Sequence, residues 1–440
     1  MKSTTYQECL DRIYKLGRFG IKLELDTILN ILTSLHNPQK NYPVVHIAGT
    51  NGKGSTATYI ASILQAAGFK TGVYTSPHLV RFNERITING QQIADEDVVK
   101  TFESVNAVDI GKRKATFFEI ATAMAFVHFS NENVDWAVIE TGMGGRYDAT
   151  NIVKPQVSVI TNLSIEHTSY LGHTIKALAR EKGGIIKESC PVVTAVSQPS
   201  GIEVLKTLAQ EKSSALFQFK KDFSARKQTG RELIDYKGIF QNFDSLVKPL
   251  PGDHQKENLS LALAACELIF DKFKPLDKRY DLTLNLVKAG LAMAKWPGRL
   301  EHIQEKPLVI LDGAHNLHAS KVLKNYLTAT LKDKRLTLVI GILDDKPYEK
   351  MLENLVPCAH QVIVTMARID RSLEPAVLKQ AIQKLSSIPV TIIKDVKQAV
   401  AHAIELSGEN DAVCIAGSLY VAGEAKEKFD NDLEQKANLK

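Results

Sequence analysis

Cysteine is scarce in this chain of 440 residues: five are scattered at positions 9, 190, 266, 358 and 414, with no paired spacing. That scatter excludes a disulfide framework or a structural zinc site, and it predicts a reducing compartment. No uninterrupted apolar run is long enough to span a bilayer. The opening Met-Lys-Ser-Thr-Thr-Tyr-Gln-Glu lacks the apolar core of a signal peptide. The expectation is a cytoplasmic protein without a membrane partner. An excess of one charge is lacking too, since 55 basic side chains face 49 acidic ones and leave a net +6. That small bias suits anionic small substrates, and with no basic cluster nucleic acid is not an expected partner.

The composition that remains, 44% hydrophobic and 24% charged, is that of a soluble globular protein long enough for two or three domains. Its most informative stretch runs from Pro43 to Ser55. Val44 to Ala48 reads as a buried strand, Gly49 and Gly52 bracket a turn, and Lys53 opens a helically spaced segment. Strand, glycine turn, lysine and helix is an arrangement that holds nucleotide phosphates. Glycines let backbone N–H groups approach the oxygens, and the helix N-terminus adds partial positive charge. The common P-loop pattern has a glycine where this chain has Ile47, and Ser or Thr where it has Gly54. The hydroxyl that usually binds Mg²⁺ is therefore missing at 54, and Ser55 or Ser76 could supply it.

From residue 43 onward strands are expected at 44–48, 71–75, 136–140, 157–161 and 192–196, alternating with helices. Such alternation predicts a mostly parallel sheet covered on both faces. Helices are expected at 6–16, 26–35, 257–270 and 282–294, and residues 217–248 read as an antiparallel edge. Trp296-Pro-Gly-Arg299 is the predicted joint. Beyond it, strands near 308–311, 336–342, 361–366, 390–393 and 412–416 predict a second, smaller α/β domain whose charged tail after 425 is a helix end. The fold class is thus α/β: a P-loop-type, mostly parallel sheet domain at 1–297, followed by a Rossmann-like domain at 298–440.

Several polar residues fall at predicted strand ends, the usual ligand rim of parallel sheets. Trp136-Ala-Val-Ile-Glu140 delivers a carboxylate beside the phosphate loop, where Mg²⁺ is commonly held. His167, after the strand at 157–161, reads either as a ligand on that rim or as a surface histidine. Lys182 lies near a predicted helix end, where a solvated lysine is the plain reading. Asp148 either caps a helix or orients a substrate. Asp312, in Leu308-Val-Ile-Leu-Asp312-Gly-Ala-His-Asn316, leads to His315, with Asn316 as a helix cap in the plain reading.

Taken together these segments resemble the folylpolyglutamate synthase and dihydrofolate synthase family of the Mur ligase superfamily. The resemblance is carried by His46-Ile-Ala-Gly-Thr-Asn-Gly-Lys-Gly-Ser55, Tyr74-Thr-Ser-Pro-His78, Arg81-Phe-Asn-Glu-Arg85 and Glu140-Thr-Gly-Met-Gly-Gly-Arg-Tyr-Asp-Ala-Thr-Asn-Ile152. Glu166-His167, Arg180-Glu-Lys-Gly-Gly-Ile-Ile-Lys187, Pro297-Gly-Arg299, Asp312-Gly-Ala-His-Asn316 and Gly417-Ser-Leu-Tyr420 continue it in family order. It implies an ATP-binding loop of Gly49, Thr50, Asn51, Gly52, Lys53, Gly54 and Ser55, with Asn258, Arg299 and Asp312 also on the nucleotide. Ser76, Glu140 and His167 would bind two Mg²⁺ ions, and Lys182, carbamylated, would join them. Thr116, Phe118, Glu119 and Arg146 would hold the folate, with two core aromatics at a helix start as the alternative for Phe117 and Phe118. His315 and Ser418 would place the incoming glutamate, and Lys53, Lys182, Asp148 and His315 would form the catalytic set.

The family reaction activates a carboxylate with ATP and joins it to L-glutamate, on dihydropteroate or on the glutamate tail of reduced folates. Arg146-Tyr-Asp148 resembles the form associated with enzymes that do both, so a bifunctional monomer acting on small molecules is expected, with a monofunctional folylpolyglutamate synthase as the alternative. A muramyl ligase would carry a nucleotide-sugar domain ahead of the loop, where 48 residues stand. A nucleotide switch would need a guanine-reading Asn-Lys-x-Asp, which the sequence lacks.

Overall fold

The computed structural model describes residues 5–16, 24–108, 113–165 and 168–438. The chain divides into two compact units: Met1–Pro249 with Gln255–Lys295, and Leu250–His254 with Trp296–Lys440.

The first unit is built on β1 (Val44–Ala48), β2 (Thr71–Tyr74), β3 (Ile86–Ile88), β4 (Gln91–Gln92), β5 (Trp136–Glu140), β6 (Val157–Ile160), β7 (Val192–Thr194) and β8 (Leu216–Gln218). Their order across the sheet is β4-β3-β2-β5-β1-β6-β7-β8. From β2 to β8 every neighbouring pair is parallel. Every residue of β1, β5 and β6 is buried, which explains their unbroken apolar runs: helices cover both faces. One face packs on a core that includes Ile13, Ile28, Phe102, Phe126 and Phe129 from the helices Tyr6–Lys15, Asp26–Ser34, Asp95–Asn106 and Phe117–Asn131. Helix Lys53–Ala66 leaves β1 and packs between the sheet and the helices Gln255–Phe273 and Leu284–Met293, so ten of its residues are buried.

The hairpin β3–β4 adds an antiparallel edge that the predicted alternation did not include. Its signal was the Asn89-Gly90 pair, both in the left-handed region as a two-residue hairpin turn requires. Residues 217–248 also depart from expectation. Only β8 joins the main sheet, by parallel pairing. β9 (Ser224–Lys227), β10 (Leu233–Lys237) and β11 (Asn242–Val247) form a separate antiparallel sheet. Glu267 of the helix Gln255–Phe273 fastens that sheet: its buried carboxylate accepts from the Tyr236 hydroxyl (2.7 Å) and from the backbone N–H of Ile239, Phe240 and Gln241 (3.0, 3.0 and 2.8 Å).

The second unit carries β12 (Glu301–Glu305), β13 (Leu308–Leu311), β14 (Leu336–Ile340), β15 (Gln361–Val364), β16 (Val390–Ile392) and β17 (Ala412–Ala416) in the order β12-β13-β17-β14-β15-β16. All pairs are parallel except β12–β13, an edge pairing beyond the predicted strands. The tail after 425 is the end of a helix, as expected: Leu419–Asn438 continues through it and buries Ala425. All five cysteines are free. Among the described residues no helix is long and apolar enough to cross a membrane.

Candidate active site

The carboxyl end of β1 runs into the glycine turn. Gly49 passes so close to β6 that a Cβ on it would meet Thr161 Oγ1 at 1.8 Å. Gly52, at φ +83°, presses against the helix Gln255–Phe273, and a Cβ there would stand 2.2 Å from Asn258 Oδ1. Only glycine satisfies both the left-handed backbone and that contact. The segment after β6 grips the turn. Thr50 N–H donates to the Asn162 carbonyl (2.9 Å), Asn51 N–H donates to Asn162 Oδ1 (3.0 Å), and the Thr161 hydroxyl donates to the Asn51 carbonyl (2.7 Å). Two of the turn's amides are therefore engaged within the protein. The first-turn amides of Lys53, Gly54 and Ser55 have no carbonyl four residues back in their helix, and they form the positive end of its dipole, which favours an anion.

Three charged side chains converge on this turn from three elements. Lys53 Nζ donates to the carbonyls of Gly49 (3.2 Å) and Thr50 (3.3 Å) and lies 3.7 Å from Glu140 Oε1 at the end of β5. Lys182 Nζ donates to the same Gly49 carbonyl at 2.8 Å. The plain reading of Lys182 as a solvated helix-end lysine is overturned, since the residue is 1% exposed. Its helix, Ile175–Gly183, does end there.

Of the two candidate metal hydroxyls, Ser55 is buried and accepts from Gln255 Nε2 (3.2 Å). Ser76 follows β2, and its N–H donates to Glu140 Oε2 (3.2 Å), which brings the serine and the carboxylate together. Two hard oxygen donors beside a glycine turn that opens a helix fit Mg²⁺. His167 lies outside the described residues, among which no group of three or more His, Cys, Asp and Glu is suited to hold a metal. Asn258 meets the turn at Gly52, and its Nδ2 donates to Gln255 Oε1 (2.9 Å). Glu257, next to it, is hydrogen-bonded to Asn162. Burial pushes its carboxyl up to about 6, against the pull of Lys220, Asn162 and Lys256.

Thr116 caps the helix Phe117–Asn131, and Glu119 closes a capping box: its Oε2 accepts from Thr116 N–H and Oγ1, both at 2.8 Å. Arg113 adds a bidentate contact to the same carboxylate (3.0 and 2.7 Å). Thr116 and Glu119 thus hold the helix start, from which Phe118 turns toward Gly142 and Tyr74, with the Phe118 and Tyr74 ring centres 6.0 Å apart. Arg146 is exposed with its guanidinium over the Tyr147 ring, and its N–H donates to the Glu181 carbonyl (2.7 Å). Asp148 is buried and caps the turn Ala149–Ile152. It accepts from Thr150 N–H (3.0 Å), Thr150 Oγ1 (2.6 Å) and Met143 N–H (2.8 Å), while burial pushes its carboxyl up.

In the second unit, Asp312 ends β13 and accepts from Leu300 N–H and Ala314 N–H, both at 2.9 Å. Burial raises its carboxyl, and the Arg299 charge opposes that rise. His315 Nδ1 lies 2.8 Å from the Gly313 carbonyl and so carries its hydrogen there. Asn316 does cap the helix Leu317–Thr330, through Ala319 N–H (2.8 Å). Ser418, buried at the end of the neighbouring β17, accepts from Val421 N–H (3.1 Å). Asp312 and Ser418 therefore share one rim of this sheet.

The sequence reading missed Thr161, Asn162 and Gln255. Thr161 and Asn162 sit at the carboxyl end of β6, where the strand-end rule that singled out His167 applies equally. Gln255 precedes Asn258 by one helical turn and carried no such signal.

Residues 47–266 match the Mur ligase middle domain, and residues 298–419 match the Mur ligase glutamate ligase domain. The dihydrofolate synthase/folylpolyglutamate synthase of Bacillus subtilis is 35% identical over 97% of this chain and 99% of its own length. The folylpolyglutamate synthase of Mycobacterium tuberculosis, solved in complex with ADP, superimposes with a TM-score of 0.88 at 31% identity, covering 96% of this chain and 99% of that one. The bifunctional enzyme of Yersinia pestis, solved with AMPPNP and Mn ion, gives a TM-score of 0.85 at 27% identity over 97% of this chain and 98% of its own. A glycine turn at a helix start, two strand-end rims and similarity over nearly the whole chain lead to one conclusion: this protein is an ATP-dependent ligase of the folylpolyglutamate synthase/dihydrofolate synthase family, within the Mur ligase superfamily.

Proposed function

We propose that this ligase adds L-glutamate both to dihydropteroate and to the glutamate tail of reduced folates. The observation that carries the catalytic assignment is the meeting of Lys53, Lys182 and Glu140 at the Gly49–Lys53 turn. In the reaction, a carboxylate oxygen of the pterin-linked acid attacks the γ-phosphorus of ATP. ADP leaves and an acyl phosphate forms. The α-amine of glutamate then attacks the acyl carbon, phosphate departs with the former carboxylate oxygen, and the amine gives up a proton as the amide appears.

Lys53 and the first-turn amides of its helix offset the charge on the transferring phosphoryl group. Ser76, Glu140 and His167 would hold two Mg²⁺ ions, which screen phosphate charge when bound. A carbamate on Lys182 would add oxygen donors beside Glu140, and a ¹³C resonance from labelled bicarbonate that vanishes in Lys182→Ala would register it. Asn258, Arg299 and Asp312 are assigned to the nucleotide, His315 and Ser418 to glutamate, and Phe118, Arg146 and Asp148 to the pterin side. Thr116 and Glu119 serve that side by holding Phe118. The Arg146-Tyr-Asp148 segment supports the bifunctional reading.

Incubation with ATP, glutamate and either dihydropteroate or tetrahydrofolate, read by mass spectrometry, tests it. Glutamylated product from both acids is expected. Product from tetrahydrofolate alone would make the enzyme monofunctional, and product from neither would refute the assignment.

A further inference from the structure

His46 is wholly buried in β1, three residues before the phosphate turn, among the apolar neighbours Val44, Val45 and Ile47. Its Nε2 lies 2.8 Å from Thr150 Oγ1, and that hydroxyl lies 2.6 Å from Asp148 Oδ1. An ionised carboxylate only accepts, so the single hydroxyl hydrogen of Thr150 goes to Asp148. The Thr150 oxygen must then accept from the imidazole, which fixes the hydrogen on Nε2. Nδ1 is left as a buried acceptor with no partner among the described residues. Burial and the nearby charge of Lys187 keep the ring neutral, with its pKa lowered to about 3. A valine would avoid the orphaned acceptor, so the feature that distinguishes histidine here is the Nε2–H donor.

The chain continues past Asp148. Its second oxygen accepts from Met143 N–H (2.8 Å), and Met143 follows Gly142, where a Cβ would stand 2.4 Å from Phe118 Cζ. Three hydrogen bonds thus run from the strand that carries the ATP turn to the backbone beneath Phe118.

We propose that His46 is a positioning residue for the pterin substrate: through the Thr150 hydroxyl it fixes Asp148 and the Gly142–Gly145 turn against which Phe118 packs. The proposal rests on the folate-ligase reading above, with Phe118 and Asp148 on the pterin side.

Steady-state kinetics of the full chain test it with His46→Val, Thr150→Val, the double variant and His46→Gln. Loss of one ordered hydrogen bond predicts KM for the pterin acid to rise about tenfold in either valine variant. KM for ATP and for glutamate should stay within about twofold, since neither substrate is assigned to this relay. Because the two residues act in series, the double variant should match Thr150→Val alone. His46→Gln, which retains an N–H donor, should recover most of the loss. Equal rises in all three KM values, additive losses in the double variant, or an unchanged pterin KM would each overturn the proposal.

An independent reading comes from ¹⁵N NMR of the imidazole, which needs no turnover and no folded valine variant. A neutral, Nε2-protonated His46 is expected, and an Nδ1-protonated ring would overturn the relay. A wild-type chain that glutamylates no pterin acid would instead refute the underlying ligase reading and leave the NMR result to decide the relay.

Discussion

Lys53 and His46 lie within one strand-to-helix passage and answer to opposite physics. Lys53 is partly exposed, holds two turn carbonyls and faces Glu140, so its charge is available to an incoming phosphate. In the proposed reaction its truncation would remove a cation from the transition state. Lys53→Ala is expected to lower kcat by at least about 10²–10³-fold, the loss typical of a preorganised electrostatic group, in a coupled ADP-release assay. Near-normal turnover would contradict the phosphate assignment. His46 is buried and neutral, and its protonation bears on stability. Its folded pKa, about 3, lies below the unfolded value near 6.5, so the unfolded chain takes up the proton first as pH falls. The favourable contribution is present above about pH 6.5 and is lost progressively toward pH 3, by about 1.4 kcal/mol per pH unit. Urea melts between pH 7 and 4 should show a shallower acid decline for His46→Gln than for the wild type, and parallel declines would refute the assignment. His78, also lowered to about 3 by burial and Arg85, titrates in both proteins and cancels from the comparison.

Among the elements, the separate sheet β9–β10–β11 is pinned by one charged side chain. Glu267 offers two oxygens to a tyrosine hydroxyl and three consecutive backbone amides. Glu267→Ala would orphan all four donors and is expected to cost about 3 kcal/mol or more in urea unfolding, with loss of hydrogen-exchange protection at residues 239–241. A change below about 0.5 kcal/mol would mean the sheet is held by other contacts. This pin was invisible in the sequence because a glutamate inside a long helix ordinarily reads as a solvated position. The parallel strands were legible for the opposite reason: burial on both faces demands continuous apolar runs, and those runs stand out. The hairpin β3–β4 fell between, with strands too short to show a period and only Asn89-Gly90 to mark it.

Across the whole molecule, what could be read from sequence was chemistry delivered at strand ends: the glycine turn, Glu140, Asp312 and Ser418. What could not were the contacts that tie distant segments together. Asn162 grips Asn51 across 111 residues, and Lys182 reaches Gly49 across 133. Their value lies in a three-dimensional approach that no local pattern encodes: spacing alone favoured a solvated Lys182, and only the family resemblance set it beside the glycine turn on which it is buried. The residues gathered at that turn support a single central claim, that ATP makes a pterin-linked carboxylate electrophilic toward glutamate. The most direct measurement uses the pterin acid labelled with ¹⁸O in its carboxylate, incubated with ATP and glutamate, and reads the released phosphate by mass spectrometry. One ¹⁸O atom transferred to each phosphate, in step with amide formed, is the predicted result. Unlabelled phosphate, released whether or not the acid and glutamate are present, would contradict it.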